Sequence, residues 1–150
     1  MTTEKNAEFL KYGCMSKAIM RVCSFGSVDD FCTRFEKWFC KEYYGMPQGD
    51  KVVAILRELG FEIVGSGLSL GACAKCISEG QSIIVLSRVS LNEGEPNEIS
   101  HASVLESVDA QGFVLWTSSQ NGWSGLLPKL PSANWSLKGC SGVGVRKAAA

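Results

Sequence analysis

The spacing of apolar residues changes near Gly60, and the change divides the chain. Up to that point apolar positions recur every three or four residues, the period of an amphipathic helix. Phe9, Leu10, Ala18, Ile19 and Val22 predict helix over 7–25, broken at Gly13 and reopened at or near Cys14. Ser27 is a good N-cap, and Asp29 and Asp30 suit the positive end of a helix dipole. Phe31, Cys32, Phe35, Trp38 and Phe39 then carry that helix to about Tyr44, ahead of Gly45 and Pro47. A third helix is predicted from Asp50 to Gly60, with Val52, Val53, Ile55, Leu56 and Leu59 inward.

Beyond Gly60 the period shortens towards two. Residues 61–64 alternate like a short strand, and Gly65-Ser66-Gly67 reads as a turn before a short helix at 70–78. Residues 82–89 are rich in Ile and Val and predict a buried strand. An acidic loop is expected at 92–98. Strands over 100–108 and 113–117 pair across Asp109-Ala110-Gln111-Gly112, and short strands are expected at 135–137 and 143–145. Helices come first and an antiparallel sheet second, which is an α+β arrangement. One domain is expected over 1–147, with 148–150 read as a frayed or added tail.

Charge removes some function classes. Lys and Arg total 15 and Asp and Glu total 15, so the formal net charge is zero. A dedicated nucleic-acid binder carries a basic excess, so no nucleic-acid partner is expected. No run of residues is apolar enough for a membrane span, and the first residues lack the apolar stretch of a signal peptide. A cytoplasmic protein with no membrane partner is the expectation. The seven cysteines are an odd number, which argues against a disulfide framework. Cys23, Cys32 and Cys40 fall on apolar helix faces and read as small core residues.

Cys14 and His101 stand apart. Cys14 follows Gly13 and opens a helix, where free N–H groups and the dipole favour a thiolate. His101 is the only histidine and begins a predicted strand. A cysteine on a helix start and a histidine on a sheet are the two parts of a thiol nucleophile site.

The order of segments resembles the papain-like cysteine peptidases, in particular the small bacterial group that cleaves leader peptides. The resemblance covers roughly residues 8–120. It rests on four pieces: Gly13-Cys14-Met15-Ser16-Lys17-Ala18-Ile19-Met20, Leu56-Arg57-Glu58-Leu59-Gly60-Phe61, Ile77-Ser78-Glu79-Gly80-Gln81-Ser82-Ile83-Ile84-Val85, and the stretch from His101 through Gly112 to Leu115. It implies a papain-like fold, a helical N-terminal half packed on a twisted antiparallel sheet. It implies a peptidase in which Cys14 attacks a carbonyl and His101 moves the proton, with no cofactor and no metal. The substrate would be a peptide or protein, and the oligomeric state is left open. The family places an Asp where Thr117 stands, so Thr117 or the nearby Asn121 would orient the ring. It places an oxyanion-donating Gln where Glu8 stands, and a carboxylate there would oppose an oxyanion. These two departures also fit a different class of function, an inactive member of the fold that binds a peptide or protein.

Other motifs compete. Gly67-Leu68-Ser69-Leu70-Gly71 fits a nucleophile elbow, but the chain is too short for that fold and lacks its alternation of strands and helices. Its plainer reading is a turn with a helix N-cap. Cys73-Ala74-Lys75-Cys76 is an isolated pair with no second pair to complete a zinc site, and reads as structural. Trp116 and Trp123 are candidates to line a substrate groove beside His101, or to cover a sheet face.

Overall fold

A computed structural model describes residues 1–90, 98–118 and 124–149 of the protein. The acidic loop expected at 92–98 lies largely outside those residues, as do Asn121 and Trp123. No helix among the described residues is long and apolar enough to cross a membrane.

Helices α1 (Thr3–Tyr12) and α2 (Cys14–Val22) meet at Gly13, and α3 (Val28–Phe35) begins at the expected cap. Ser27 Oγ accepts the Asp30 N–H at 3.2 Å. The third helix does not reach Tyr44. A single 3-10 turn (Glu36–Trp38) follows it, then a hairpin of β1 (Phe39–Cys40) and β2 (Tyr43–Pro47). Contacts with α1 and α2 override the helical period here. Gly45 sits at φ +100°, and a Cβ there would lie 2.8 Å from the Phe9 ring, so the hairpin backbone rests directly on Phe9. The Ser16 hydroxyl donates to the Gly45 carbonyl at 2.6 Å. The aromatic stripe still reaches the core, because Phe31, Phe35 and Phe39 are all buried. Helix α4 (Val52–Glu58) completes this half, burying Ile55 and Leu56, while Val53, expected inward, is exposed.

The second half runs β3 (Phe61–Leu68), α5 (Leu70–Ser78), β4 (Ser82–Ser90), β5 (Glu98–Val108), β6 (Gly112–Ser118), β7 (Ser124–Leu126), β8 (Leu130–Pro131), α6 (Asn134–Leu137) and β9 (Ser141–Lys147). The sheet order is β3-β9-β4-β5-β6-β7, with β8 paired to β6, and each pairing is antiparallel. Two short-range expectations fail. Gly65-Ser66-Gly67 continues β3 through two register shifts instead of turning. Residues near Trp135 form a helical turn, because the Trp135 ring packs edge-on against Phe113 at 5.4 Å.

The last strand, β9, occupies the interior of the sheet between β3 and β4. Its Gly142 faces α5, and a Cβ there would lie 2.3 Å from Cys73 Sγ. Only a glycine lets α5 lie this close. The architecture is α+β, with helices on both faces of the sheet. On one face Phe9, Ala18, Ile19 and Phe31 pack with Ile84, Ala102 and Val104. On the other, Cys73 and Trp135 pack with Ile83, Val85, Leu105, Phe113 and Leu115. A fully buried aromatic side chain contributes about 1.5–3 kcal/mol. The helical face holds three fully buried phenylalanines, Phe9, Phe31 and Phe35, against one, Phe113, on the other.

Candidate functional site

Gly13 joins α1 to α2. Its N–H donates to Phe9 O at 2.9 Å and its carbonyl accepts Lys17 N–H at 2.8 Å. A Cβ at Gly13 would lie 2.4 Å from Phe9 O, so no larger residue fits the joint. Cys14 therefore starts α2 directly, as expected. Its side chain is half-buried against the helical core. Its charged neighbour is Lys17, one turn along the helix. Burial lowers the Lys17 pKa, and coupling to Cys14 partly opposes that.

His101 lies on β5, opposite Ser87 on β4. Its Nε2 is hydrogen-bonded to Thr117 Oγ1. The Thr117 Oγ1 also lies 3.4 Å from Ser118 O. Burial holds the His101 pKa below its ordinary 6.5, so the ring is neutral at pH 7. A threonine hydroxyl orients the ring but carries no charge to stabilise an imidazolium.

Strand alternation fixes which way the ring points. Ala102 and Val104 face the helical layer, while Leu105 faces α5 and α6. His101 and Ser103 therefore share the face of Leu105. Thr117 shares that face with Leu115 and Phe113. One step from the Val104↔Trp116 pair, Ser103 and Thr117 are cross-strand neighbours. The sheet thus groups His101, Thr117, Ser103 and Ser87 as a polar cluster within an apolar face. Ser103, Ser87 and Thr117 are buried, and Ser103 Oγ has no hydrogen-bond partner among the described residues.

The structure brings His101 and Thr117 together but does not bring Cys14 to them. α2 packs on the face of the sheet opposite His101, and no hydrogen bond among the described residues joins Cys14 to the ring. Trp116 also faces the helical layer, where the Arg21 guanidinium lies 4.9 Å over its ring. It does not border His101. Glu8 is exposed on α1. Ser69 caps α5 by accepting the Ala72 N–H at 3.2 Å. Cys73 is buried in the core under α5, and burial raises its thiol pKa to about 11. All seven cysteines are free thiols.

A second group of side chains was not legible in the sequence. Arg21 Nε donates to Glu106 Oε1 at 2.7 Å while its guanidinium stacks on Trp116. Arg21 lies 85 positions from Glu106 and 95 from Trp116, and no local pattern links it to them. Arg21 and Glu106 border a cavity of about 720 Å³ at the end of the sheet where β4 begins. The polar cluster around His101, by contrast, had a signal. In Ser100-His101-Ala102-Ser103 a histidine and a serine fall on one strand face.

No protein-family model matches the sequence, and a search of curated proteins finds no match.

Proposed function

We propose that the chain is a peptide-binding module on a papain-like α+β frame, working in the cytoplasm, and that a Cys14–His101 catalytic pair is not assembled. The observation that carries this reading is the separation of Cys14 and His101 by the sheet. A thiol acyl-transfer site needs base and nucleophile within hydrogen-bond reach of one another, and loosened apo geometry does not span two faces of a sheet. The uncharged Thr117 beside His101 and the exposed Glu8 support it further, since neither stabilises the charges that a peptidase mechanism develops.

The peptidase reading keeps one specific support. Cys14 opens a helix, and the His101–Thr117 bond joins the two positions, sixteen residues apart, that the family resemblance pairs. In that reading Cys14 is the nucleophile and His101 the base.

Alkylation by iodoacetamide across pH 5–9, followed by mass spectrometry of each cysteine, separates the two. A binding module labels Cys14 at an ordinary thiol rate, unchanged in His101→Ala. Selective labelling of Cys14 at pH 6 that slows in His101→Ala overturns this and restores the enzyme.

A further inference from the structure

The cavity of about 720 Å³ is formed where two neighbouring strands part. The β4–β5 ladder ends at Ile84↔Val104, although β4 begins at Ser82 and β5 continues to Val108. Among the described residues no strand pairs with Leu105 and Glu106 on that side. A strand edge left open carries N–H and C=O groups ready to pair with another chain. Gln81 and Ser82 form one wall of the opening, and Val104, Leu105 and Glu106 form the other. Met20, Val22, Phe25 and Ile77 supply apolar sides.

Two polar features point to an amide-bearing occupant. Gln81 Oε1 is buried with no hydrogen-bond partner among the described residues. A buried amide oxygen in that state has lost its water without gaining a donor. The last torsion of a glutamine is soft, so the amide can swing into the cavity at small cost and meet an N–H there. The Arg21–Glu106 pair, on the same cavity, supplies both a cation and an anion beside the open edge. The lip is built to hold its shape. Ser24 takes a left-handed turn (φ 54°) at the end of α2, and Phe25 N–H closes back onto Met20 O at 2.8 Å.

We propose that this cavity binds an extended peptide segment, which adds to the open edge of β5 at Leu105–Glu106 and donates a backbone N–H to Gln81. Main-chain pairing gives such a complex its affinity, and the apolar walls select alternate side chains. The volume lies within the ~300–1,000 Å³ of ordinary ligand pockets. The assignment rests on reading the chain as a peptide binder, and it names the site, which lies away from both Cys14 and His101.

The test is a screen of the full chain against a library of N-acetylated, C-amidated pentapeptides, with the tightest binder then titrated into ¹⁵N-labelled protein. Perturbed amides are expected at Arg21, Gln81, Ser82, Leu105 and Glu106. Gln81→Met keeps the length of the side chain and removes its amide, and about tenfold weaker binding is expected. Binding with perturbations confined to the His101 or Cys14 surroundings overturns this site and leaves the peptide-binding reading intact. Unchanged affinity in a folded Gln81→Met has the same meaning. If that variant does not fold, the wild-type perturbation map decides alone. Absence of binding by any library member at millimolar concentration overturns both.

Discussion

The helical face of the sheet and the α5–α6 face bury different kinds of side chain. Against α1–α4 the sheet presents Ile84, Ala102 and Val104 to a dense aromatic group, in which Phe31 lies within 6.4 Å of the rings of Phe25, Phe35 and Phe39. Against α5 and α6 it presents a smaller apolar cluster, and a polar one formed by His101, Thr117, Ser103 and Ser87. The first face is held by volume. The second depends on close approach at Gly142 and on whether buried polar atoms find partners. A chain can therefore lose function-bearing chemistry on one face without losing its fold, because most of its apolar burial lies on the other.

The largest expected effect follows from this difference. Phe31→Ala removes the ring that three other aromatic rings touch, and should cost ~3–5 kcal/mol by urea denaturation. A loss below 1 kcal/mol would mean that the helical face does not dominate. On the other face, Gly142→Ala places a methyl group against Cys73 Sγ and should cost about 1–3 kcal/mol. Cys73→Ala should relieve part of that, so the double variant loses less than the two single losses added together. Strict additivity would show that α5 moves freely over β9.

Thr117→Val keeps the shape of the side chain and removes the hydrogen-bond partner of His101 Nε2. A cost of about 1–2 kcal/mol is expected, since the ring nitrogen stays buried. The pH dependence of stability tests the same group. Between the folded pKa of His101 and 6.5 the unfolded chain binds a proton that the folded chain does not. Stability should therefore be full above about pH 6.5 and fall as the pH drops through that window. Urea melts at pH 5.5 and 7.5 should differ less in His101→Gln than in wild type. An equal difference in both would assign the pH dependence to the carboxylates.

Much of the architecture was legible in the residues. The break at Gly13, the cap at Ser27, the strands after Gly80 and the α+β division all follow from local chemistry, and local chemistry persists in the fold. The misreadings have one cause. The helix expected through Tyr44, the turn expected at Gly65 and the strand expected at Trp135 are each overridden by a distant partner: Phe9, β9 and Phe113. The site divides the same way. His101 and Thr117 meet because a hairpin brings neighbouring strands into register, and a hairpin is a local structure. Whether Cys14 meets them depends on which sheet face α2 covers. The odd-even phase of β5 was visible in Ala102 and Val104, but only long-range packing ties that phase to α2.

The smallest expected effect is the most specific to the second face. Ser103 is buried beside Thr117, and its hydroxyl has no partner among the described residues. Burying an unpaired hydroxyl costs ~1–3 kcal/mol on mutational scales, against which the lost packing of one oxygen is minor. Ser103→Ala should thus be neutral or stabilising by up to about 1 kcal/mol, whereas Thr117→Val on the same face is destabilising. Opposite signs from two hydroxyl deletions at cross-strand neighbours would show that the Thr117 hydroxyl holds the His101 ring and the Ser103 hydroxyl holds nothing. A loss of 1 kcal/mol or more in Ser103→Ala would instead give Ser103 a share in orienting the ring, and the cluster would have to be treated as one network.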